Sequence, residues 1–532
     1  MIGSITRPIA RTLATTLRWP WQYAEIARRD LRLDFLRGFA ILVIIVDHII
    51  VARSWFYGIS MNAEFIISAA ELFFAISGVV IGVVASRQAE LVAVKRSLRR
   101  AFELYLVAIS IALFFLAVGW LTDLRMWDYA VRDVDASLDA SVFMAIALQV
   151  LTLHAGFHGS EILIQYVVYM LLVPLAILAC ADRKDWLVIG GSLIVYAIGR
   201  LNPSAVTMPI ASAFSLHQWQ PLFFISFVIG YRREQLSRWL SHMRWPHVWA
   251  ALIGLVALLF IYLYATNYQM FPGFHDRLGD RYDMRPARLL LVTVYLIASY
   301  LLITMAWRPL NALFGWLLIR LGQDALWCFG MHYVVILLLY NLPFFRSDAS
   351  VEVGTLWHGV AVALVFVSLY VRDWALRLWP ALRERYKAFV LATPAIVSFV
   401  AVQVILLLGG GAARTIIDDQ DPGWSWSGWN FVADASAHGG SIRVASEAGS
   451  TALYTFHGTG LELYSRIGRS GGLVKILVDQ RSYGEYDLYY SGPDTHHVRI
   501  FAVRDLTPGK HELRVIAKSN GETTIDYLKI AP

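Results

Sequence analysis

Cysteine is almost absent from this chain, which has two cysteines in 532 residues. Cys180 and Cys328 both lie in apolar stretches, where a lone cysteine behaves as a small hydrophobic residue. Their number and spacing exclude a disulfide framework, a cysteine-based zinc site and a Cys-x-x-Cys redox motif. We therefore predict no metal site and no tightly bound cofactor.

Charged residues are also scarce. They make up 16% of the chain, whereas hydrophobic residues make up 58% and the mean hydropathy is +0.55. A soluble domain is closer to half apolar and a quarter charged. The net charge is +7, but the arginines concentrate between apolar runs, as the positive-inside rule describes. The composition predicts an integral membrane protein surrounded by lipid and argues against nucleic acid as a partner.

Several enzyme signatures are missing from the sequence. No Gly-rich phosphate loop follows a strand, and neither Gly-x-Ser-x-Gly nor His-Glu-x-x-His occurs. This excludes the usual ATP-driven pumps and serine hydrolases. Residues 1–30 lack the apolar core of a signal peptide, so we expect a cytoplasmic or interfacial N-terminal segment.

Long apolar runs dominate the rest of the first 408 residues. A membrane span needs about 20 mainly apolar residues, and the run 141–153 is too short, so we expect a re-entrant or interfacial segment there. The basic stretches 95–100, 232–244 and 372–387 then all fall in the cytoplasm, with the N-terminus inside and the C-terminus outside. The predicted spans are 38–56, 64–86, 98–120, 161–181, 186–201, 211–231, 247–266, 288–307, 324–342, 354–372 and 388–408.

The composition changes after Gly409–Gly411, which predicts a flexible joint. Apolar residues then alternate with polar ones in short segments separated by Gly-rich turns, a pattern typical of an antiparallel β-sandwich. The segments are 461–464, 474–478, 498–501 and 513–515. This tail resembles the jelly-roll, galactose-binding-like modules that accompany carbohydrate enzymes, and Thr524–Leu528 resembles their final strand. Trp424, Trp426 and Trp429 either form a platform for sugar rings or pack the sandwich.

An acid and an imidazole end the first apolar run. Arg37 and His48 are eleven residues apart, so on a helix they share one face about 16 Å apart. Asp34 lies near the same face, and Asp47 is rotated from His48 by about 100°. Ionisable groups at that depth are costly and are candidates for function, although Arg37 could be a topological anchor and His48 a packing residue. A buried neutral histidine can take the proton of an attacking alcohol and return it to a leaving thiolate.

Arg37, ten residues and His48 match the arginine-to-histidine spacing of the acyltransferase family 3 clan. The stretch from Arg32 to His48 more closely resembles the opening of the OpgC-type osmoregulated periplasmic glucan succinyltransferases. Later stretches are similar to further motifs of that family: 70–78, 161–166, 218–224, 321–326 and 331–332. The chain departs from the family at Gln165, where a proline is usual, and in carrying the tail.

The resemblance implies a ten-helix membrane acyltransferase domain over residues 31–385. Such proteins move an acyl group from cytoplasmic acyl-CoA, here succinyl-CoA or acetyl-CoA, to a hydroxyl of an extracytoplasmic glycan. Residues 386–411 would supply an eleventh helix and a linker, and 412–532 would form the extracytoplasmic β-sandwich. We expect the protein in a bacterial inner membrane, as a homodimer or with glycan-synthesis partners. The alternative is a glycan transporter or export component with a sugar-binding tail.

Site residues follow from the helix pattern and the resemblance together. We predict His48 as the general base, with Asp47 or Glu71 orienting it, and Arg37 paired with Asp34. Glu71 alternatively makes a structural hydrogen bond, and Lys95, Arg99 and Arg100 either bind the phosphates of CoA or anchor the topology. Ser77 with Gly78 and Gly82 is a helix-packing surface first. The predicted substrate-binding residues are Asp34, Ser77, His154, His158, Gln165, Trp219 and His332.

Overall fold

The computed structural model describes part of the chain. Among the predictions, the span 388–408, the joint Gly409–Gly411, His158 and most of the N-terminal segment 1–30 lie outside the described residues. The described residues are 21–23, 29–49, 51–60, 67–121, 133–134, 147–154, 156, 161–202, 206, 210–212, 214–240, 245–265, 284–342, 345, 350–378, 415–490, 494–503 and 506–531.

The first described part, up to residue 378, is helical. The helices are α1 (Leu31–His48), α2 (Tyr57–Ser60), α3 (Ala69–Ser86), α4 (Glu90–Leu121), α5 (Glu161–Ala181), α6 (Asp185–Leu201), α7 (Leu216–Tyr231), α8 (Arg233–Leu240), α9 (Trp245–Ala265), α10 (Pro286–Met305), α11 (Trp307–Leu310), α12 (Trp316–Gln323), α13 (Ala325–Tyr340) and α14 (Val351–Leu378). A π-helical turn, Asn311–Gly315, joins α11 to α12.

Four of these helices are long and apolar enough to cross a membrane: α3, α5, α10 and α14. A fifth span results if Trp307–Gln323 and Ala325–Tyr340, which meet at 92°, count as one broken span. These numbers of helices refer only to the described residues. Leu175 on α5 and Trp186 and Ile194 on α6 are exposed in the isolated chain. Apolar side chains on an outer helical surface are expected where lipid replaces water.

Helix bounds differ from the predicted spans at several places. The helix α1 covers Leu31–His48, where the span 38–56 was predicted. The helix α4 begins at Glu90, so the basic run 95–100 lies within a helix rather than in a loop. The helix α14 continues to Leu378 and includes Arg372. The stretch 307–323, predicted as a connection, is helical. Arg308 and Arg320 interrupt the apolar pattern there, which is why the sequence did not indicate a span.

The central helix of the bundle is α1, which packs against α3, α10, α12, α13 and α14. Glycines allow two of the closest approaches. A Cβ added at Gly38 would lie 1.7 Å from the carbonyl oxygen of Leu318 on α12, and one at Gly82 would lie 2.1 Å from that of Phe227 on α7. Small residues are the usual means by which membrane helices approach closely. The predicted packing role of the Gly78 and Gly82 surface is therefore confirmed.

The tail is an antiparallel β-sandwich, as predicted. Its strands are β2 (Thr415–Asp418), β3 (Trp424–Ser427), β4 (Asn430–Ala433), β5 (Ser441–Ala445), β6 (Thr451–Gly458), β7 (Gly460–Ile467), β8 (Leu473–Val478), β9 (Arg481–Asp487), β10 (Thr495–Val503), β11 (Gly509–Ala517), β12 (Thr523–Ile525) and β13 (Tyr527–Ala531). A short strand β1 (Asp133–Val134) comes from the helical part of the chain. The strand orders are β1-β10-β7-β13-β2, β3-β6-β11-β8-β9 and β12-β5-β4.

Two features of the sandwich were not predicted. The stretch Thr524–Leu528 is not one strand, because Asp526 separates β12 from β13 and its amide donates to the carbonyl of Tyr464. The strand β1, from the segment that follows α4, pairs with β10 through Val134 opposite Val498. This pairing joins the sandwich to the helical part of the chain beyond the end of α4.

Candidate active site

Two histidines from distant parts of the sequence meet in the bundle. His48 ends α1 and His332 lies in the middle of α13. The Nδ1 atom of His48 lies 3.0 Å from the Nε2 atom of His332, and the ring centroids are 5.1 Å apart. His332 is fully buried, and its Nδ1 donates to the backbone carbonyl of Phe329. The structure thus brings the predicted base against a histidine that was predicted to contact substrate.

The partner of His48 Nδ1 is therefore His332 rather than Asp47 or Glu71. Asp47 follows the helical rotation and lies on a different side of α1 from its neighbour. Glu71 is held elsewhere: its two carboxylate oxygens accept from Arg288 of α10 at 2.7 and 2.8 Å. Glu71 also completes a capping box with Ser68 at the start of α3. The structural alternative for Glu71 matches this geometry.

A third histidine fixes the chain just after His48. His358 of α14 is fully buried. One ring nitrogen contacts the carbonyl of Ile49 at 2.8 Å and the other contacts Ser54 Oγ at 2.8 Å. Ile49 is extended and ends α1. Sequence reasoning missed His358 because nothing local marks a residue more than 300 positions away as its partner.

A cavity of about 1100 Å³ lies between α1, α3, α4, α5 and α13. Its wall includes Arg37, Ser77, Tyr166 and Phe329. Phe329, whose carbonyl holds His332, is part of this wall, whereas neither His48 nor His332 is among its lining residues. Small-molecule sites have typical volumes of about 300–1,000 Å³, so this space is large enough for an extended cofactor-like substrate.

Basic side chains line the same cavity at the start of α4. Lys95 and Arg99 are exposed and Arg100 is half-buried, and Arg372 of α14 also contributes to the wall. Arg99 and Arg100 each pair with Glu103 at 3.4 and 3.3 Å, an exposed arrangement that contributes little to stability. Their predicted contact with a polyphosphate stays a prediction.

Arg37 is placed differently from the prediction. Both carboxylate oxygens of Asp34 accept hydrogen bonds from Arg29, at 2.6 and 2.8 Å, rather than from Arg37. Arg29 lies just before α1 and can reach Asp34 from outside the helix, whereas Arg37 points to the cavity. There it accompanies Ser77 and Tyr166, whose hydroxyl oxygens are 3.5 Å apart. Asp34 therefore belongs to the helix start, and Arg37 belongs to the cavity wall.

The other predicted substrate residues lie apart. Gln165 is fully buried and donates to the Tyr169 hydroxyl at 2.8 Å. Trp219 is fully buried and stacks on Phe214 at 3.8 Å between ring centroids. His154 is exposed, with Nδ1 3.0 Å from Thr152 Oγ1. None of these three forms part of the cavity wall given above for the described residues.

The tryptophans of the tail pack mostly against one another. Trp424 and Trp429 are buried, and Trp426 is partly exposed between them. Trp424 stacks on Trp426 with ring centroids 4.5 Å apart, and Arg443 lies 5.2 Å from the Trp426 ring. At least two of the three thus serve the core of the sandwich. In the described part of the chain, no three His, Cys, Asp or Glu side chains are placed to hold a metal ion.

Comparison with known proteins finds similarity over parts of the chain. This chain is 30% identical to an A type blood N-acetyl-alpha-D-galactosamine deacetylase of Flavonifractor plautii over 104 residues, which are 19% of this chain. That stretch spans only 13% of the deacetylase. A family 35 carbohydrate binding module from Clostridium thermocellum is 16% identical with a TM-score of 0.20, covering 22% of this chain and 97% of the module.

A second solved structure, the CBM36-1 domain of a multidomain xylanase from the hindgut metagenome of Trinervitermes trinervoides, is 15% identical with a TM-score of 0.19. It covers 23% of this chain and 98% of that domain. A profile of the OpgC protein family matches residues 29–377, which include α1 through most of α14 and therefore both histidines of the pair. Because this match covers well over half of the sequence, the chain belongs to the OpgC protein family.

Proposed function

We propose that the protein is an integral membrane O-acyltransferase that moves an acyl group from acyl-CoA to a hydroxyl of an extracytoplasmic glycan. The observation that carries this proposal is the cavity, which runs from the basic start of α4 to Phe329, three residues before His332 on α13. A site that joins phosphate-binding charges to a general base fits a thioester donor. Membership of the OpgC protein family supports the same reaction class.

The basic end of the cavity is suited to CoA. Lys95, Arg99 and Arg100 offer donors for phosphate oxygens, and the apolar wall beyond them suits the pantetheine arm. Arg37 lies further along the wall, next to the Ser77 and Tyr166 hydroxyls. These three side chains would hold the donor, with its thioester beyond them towards Phe329. A succinyl group is our expectation for the acyl group.

In this proposal His48 acts first as a general base and then as a general acid. The glycan hydroxyl oxygen attacks the thioester carbonyl while its proton passes to His48. The tetrahedral intermediate collapses, the carbon–sulfur bond breaks, and His48 returns the proton to the departing thiolate. The products are an O-ester and free CoA, so atoms and charge balance. Positioned acid–base groups of this kind contribute about 10²–10⁴-fold in rate.

The direction of the helices supports an acceptor that arrives from the opposite side. Arg37 and the start of α4 line the basic end of the cavity, and α1 and α4 both continue from that end. His48 and Leu121 therefore lie towards the other end of the bundle, and the segment after α4 supplies the strand β1 that pairs with the sandwich. We propose a cytoplasmic N-terminus, an inner-membrane bundle and a periplasmic sandwich that brings the glycan to the His48 end.

Mass spectrometry of cell-envelope glycans tests this function. Glycans from cells with the protein should carry an ester mass increment that disappears on deletion, and its size names the acyl group. Complementation by the wild-type chain should restore the increment, and His48→Ala at equal membrane abundance should not. Unchanged ester content with altered glycan location would contradict acyl transfer and support a transporter instead.

A further inference from the structure

We propose that His332 is a positioning residue that fixes which nitrogen of His48 carries the proton. This inference rests on the proposed acyl transfer and adds a role for the second histidine. Three groups lie in a row: the Phe329 carbonyl oxygen, the His332 ring and the His48 ring.

A backbone carbonyl oxygen can only accept a hydrogen bond, so the Nδ1 atom of His332 must carry a proton. In the neutral ring the lone pair then lies on Nε2. The Phe329 carbonyl is three residues earlier on α13, so this bond is set by the helix that holds His332. The tautomer of His332 is therefore fixed within α13 and does not depend on a bound substrate.

The tautomer of His332 in turn fixes the tautomer of His48. The Nε2 lone pair of His332 accepts from the Nδ1–H of His48 across 3.0 Å. Neutral His48 consequently has its lone pair on Nε2, which is the atom that takes the hydroxyl proton. Without His332, neutral His48 would distribute its proton between both nitrogens, and part of the population would have the base on the wrong side of the ring.

The arrangement also serves the charged form that appears during the reaction. When Nε2 takes a proton, the Nδ1–H of the imidazolium donates to a neutral acceptor, and hydrogen bonds from charged donors are stronger than neutral ones. A neutral histidine achieves this without a permanent carboxylate, whose burial in the membrane domain would be costly. His332 is held in place by ring contacts with Tyr333 and Phe329, at 4.0 and 5.1 Å between centroids.

A competing role for His332 is direct contact with the acyl donor, and substitutions separate the two. A glutamine can accept from His48 through its amide oxygen and donate to the Phe329 carbonyl through its amide nitrogen. A leucine can do neither. Cys328, fully buried one turn earlier on α13, provides a matched control as Cys328→Ala.

The experiment measures transfer by the full-length protein in membrane vesicles, with ¹⁴C-succinyl-CoA and, separately, ¹⁴C-acetyl-CoA as donors. The acceptor is the envelope glycan purified from the deletion strain. His332→Leu should lower kcat by about 100-fold or more, as expected for lost acid–base catalysis, with KM for the donor unchanged. His332→Gln should recover to within about tenfold of wild type, and Cys328→Ala should match wild type.

Three results would overturn the inference while leaving acyl transfer intact. These are full activity in His332→Leu, a rise in donor KM without a fall in kcat, and equal loss in the Leu and Gln variants at wild-type thermal stability. Absence of transfer by the wild-type protein with both donors would instead refute the proposed function, so the two failures are distinguishable.

Discussion

Glu71 of α3 and Arg288 of α10, 217 positions apart in sequence, form a two-pronged ion pair with both side chains buried. Breaking one side of such a pair leaves a buried charge without its partner, which costs about 3–5 kcal/mol. We expect Arg288→Met to lower the thermal unfolding midpoint of the detergent-solubilised protein strongly. The double variant Glu71→Leu with Arg288→Met should recover most of that loss, because neither charge remains.

The same pair tests whether Glu71 acts in catalysis. If the double variant is folded and still transfers acyl groups at a substantial rate, Glu71 is structural, as its bonds to Arg288 and Ser68 indicate. A folded double variant that binds substrate normally but shows no transfer would indicate that Glu71 acts in catalysis.

The basic start of α4 predicts a salt-dependent donor affinity. Exposed charges are screened within about 10 Å at 0.1 M salt, so the KM for acyl-CoA should rise with ionic strength in the wild type. Neutralising Lys95, Arg99 and Arg100 to Gln should raise that KM at low salt by at least about tenfold, the effect of losing one charge-assisted hydrogen bond of roughly 1.5 kcal/mol. The variant should show a flatter dependence on salt.

A matched control removes the same charge from the sandwich. Arg481, Lys510 and Lys518 are exposed and lie on the tail, so their replacement by Gln should leave the donor KM and its salt dependence unchanged. Equal behaviour of the two triple variants would show that the effect is one of net charge and that the α4 residues do not contact the donor.

The buried carboxyl group of Asp419 predicts that the stability of the sandwich depends on pH. The side chain is fully buried and accepts from Ser441 Oγ at 2.7 Å. Burial raises the pKa of its carboxyl from the ordinary 3.8 to about 6, and neighbouring Asp418 adds to the shift. The folded state thus binds the proton more tightly than the unfolded state. The contribution of Asp419 to the free energy of unfolding should therefore fall as pH rises from about 4 to about 6 and stay constant above.

Hydrogen–deuterium exchange of peptides from β2 and β5 in the full-length protein measures this effect. Asp419→Asn should reduce the fall in protection between pH 4 and 6 and should be at least as protected as wild type at pH 7.5. Glu447→Gln, an exposed carboxylate on the same domain, should leave the profile unchanged. A wild-type slope that persists in Asp419→Asn would assign the titration to another group.

Sequence patterns predicted the parts of this protein that are local. Apolar length located α5 to the residue, and period-two alternation located β7, β8, β10 and β11. The spacing of Arg37 and His48 placed both on α1, where Arg37 is the seventh residue and His48 is the last. These features depend only on helix and strand geometry and on burial, which neighbouring residues encode.

Side-chain partners were harder to predict because they are set by packing between distant helices. Nothing near His48 indicates His332, and nothing near Glu71 indicates Arg288. Asp34 had two basic neighbours within reach, and only the direction of the chain before α1 decides for Arg29. The broken segment at Asp324 was missed for a related reason. Arg308 and Arg320 interrupt the apolar pattern, and the pairing of Arg372 with Asp324 appears only when α13 and α14 meet.

The most direct test of the account is acyl transfer by purified protein in vesicles with a labelled thioester donor. Wild-type protein supplied with ¹⁴C-succinyl-CoA and envelope glycan should place label in an alkali-labile ester on the glycan. His48→Ala should reduce this transfer by about 10²–10⁴-fold, the range that acid–base catalysis supplies, with unchanged thermal stability. Transfer at the wild-type rate by a folded His48→Ala protein would contradict the assignment of His48 as the base.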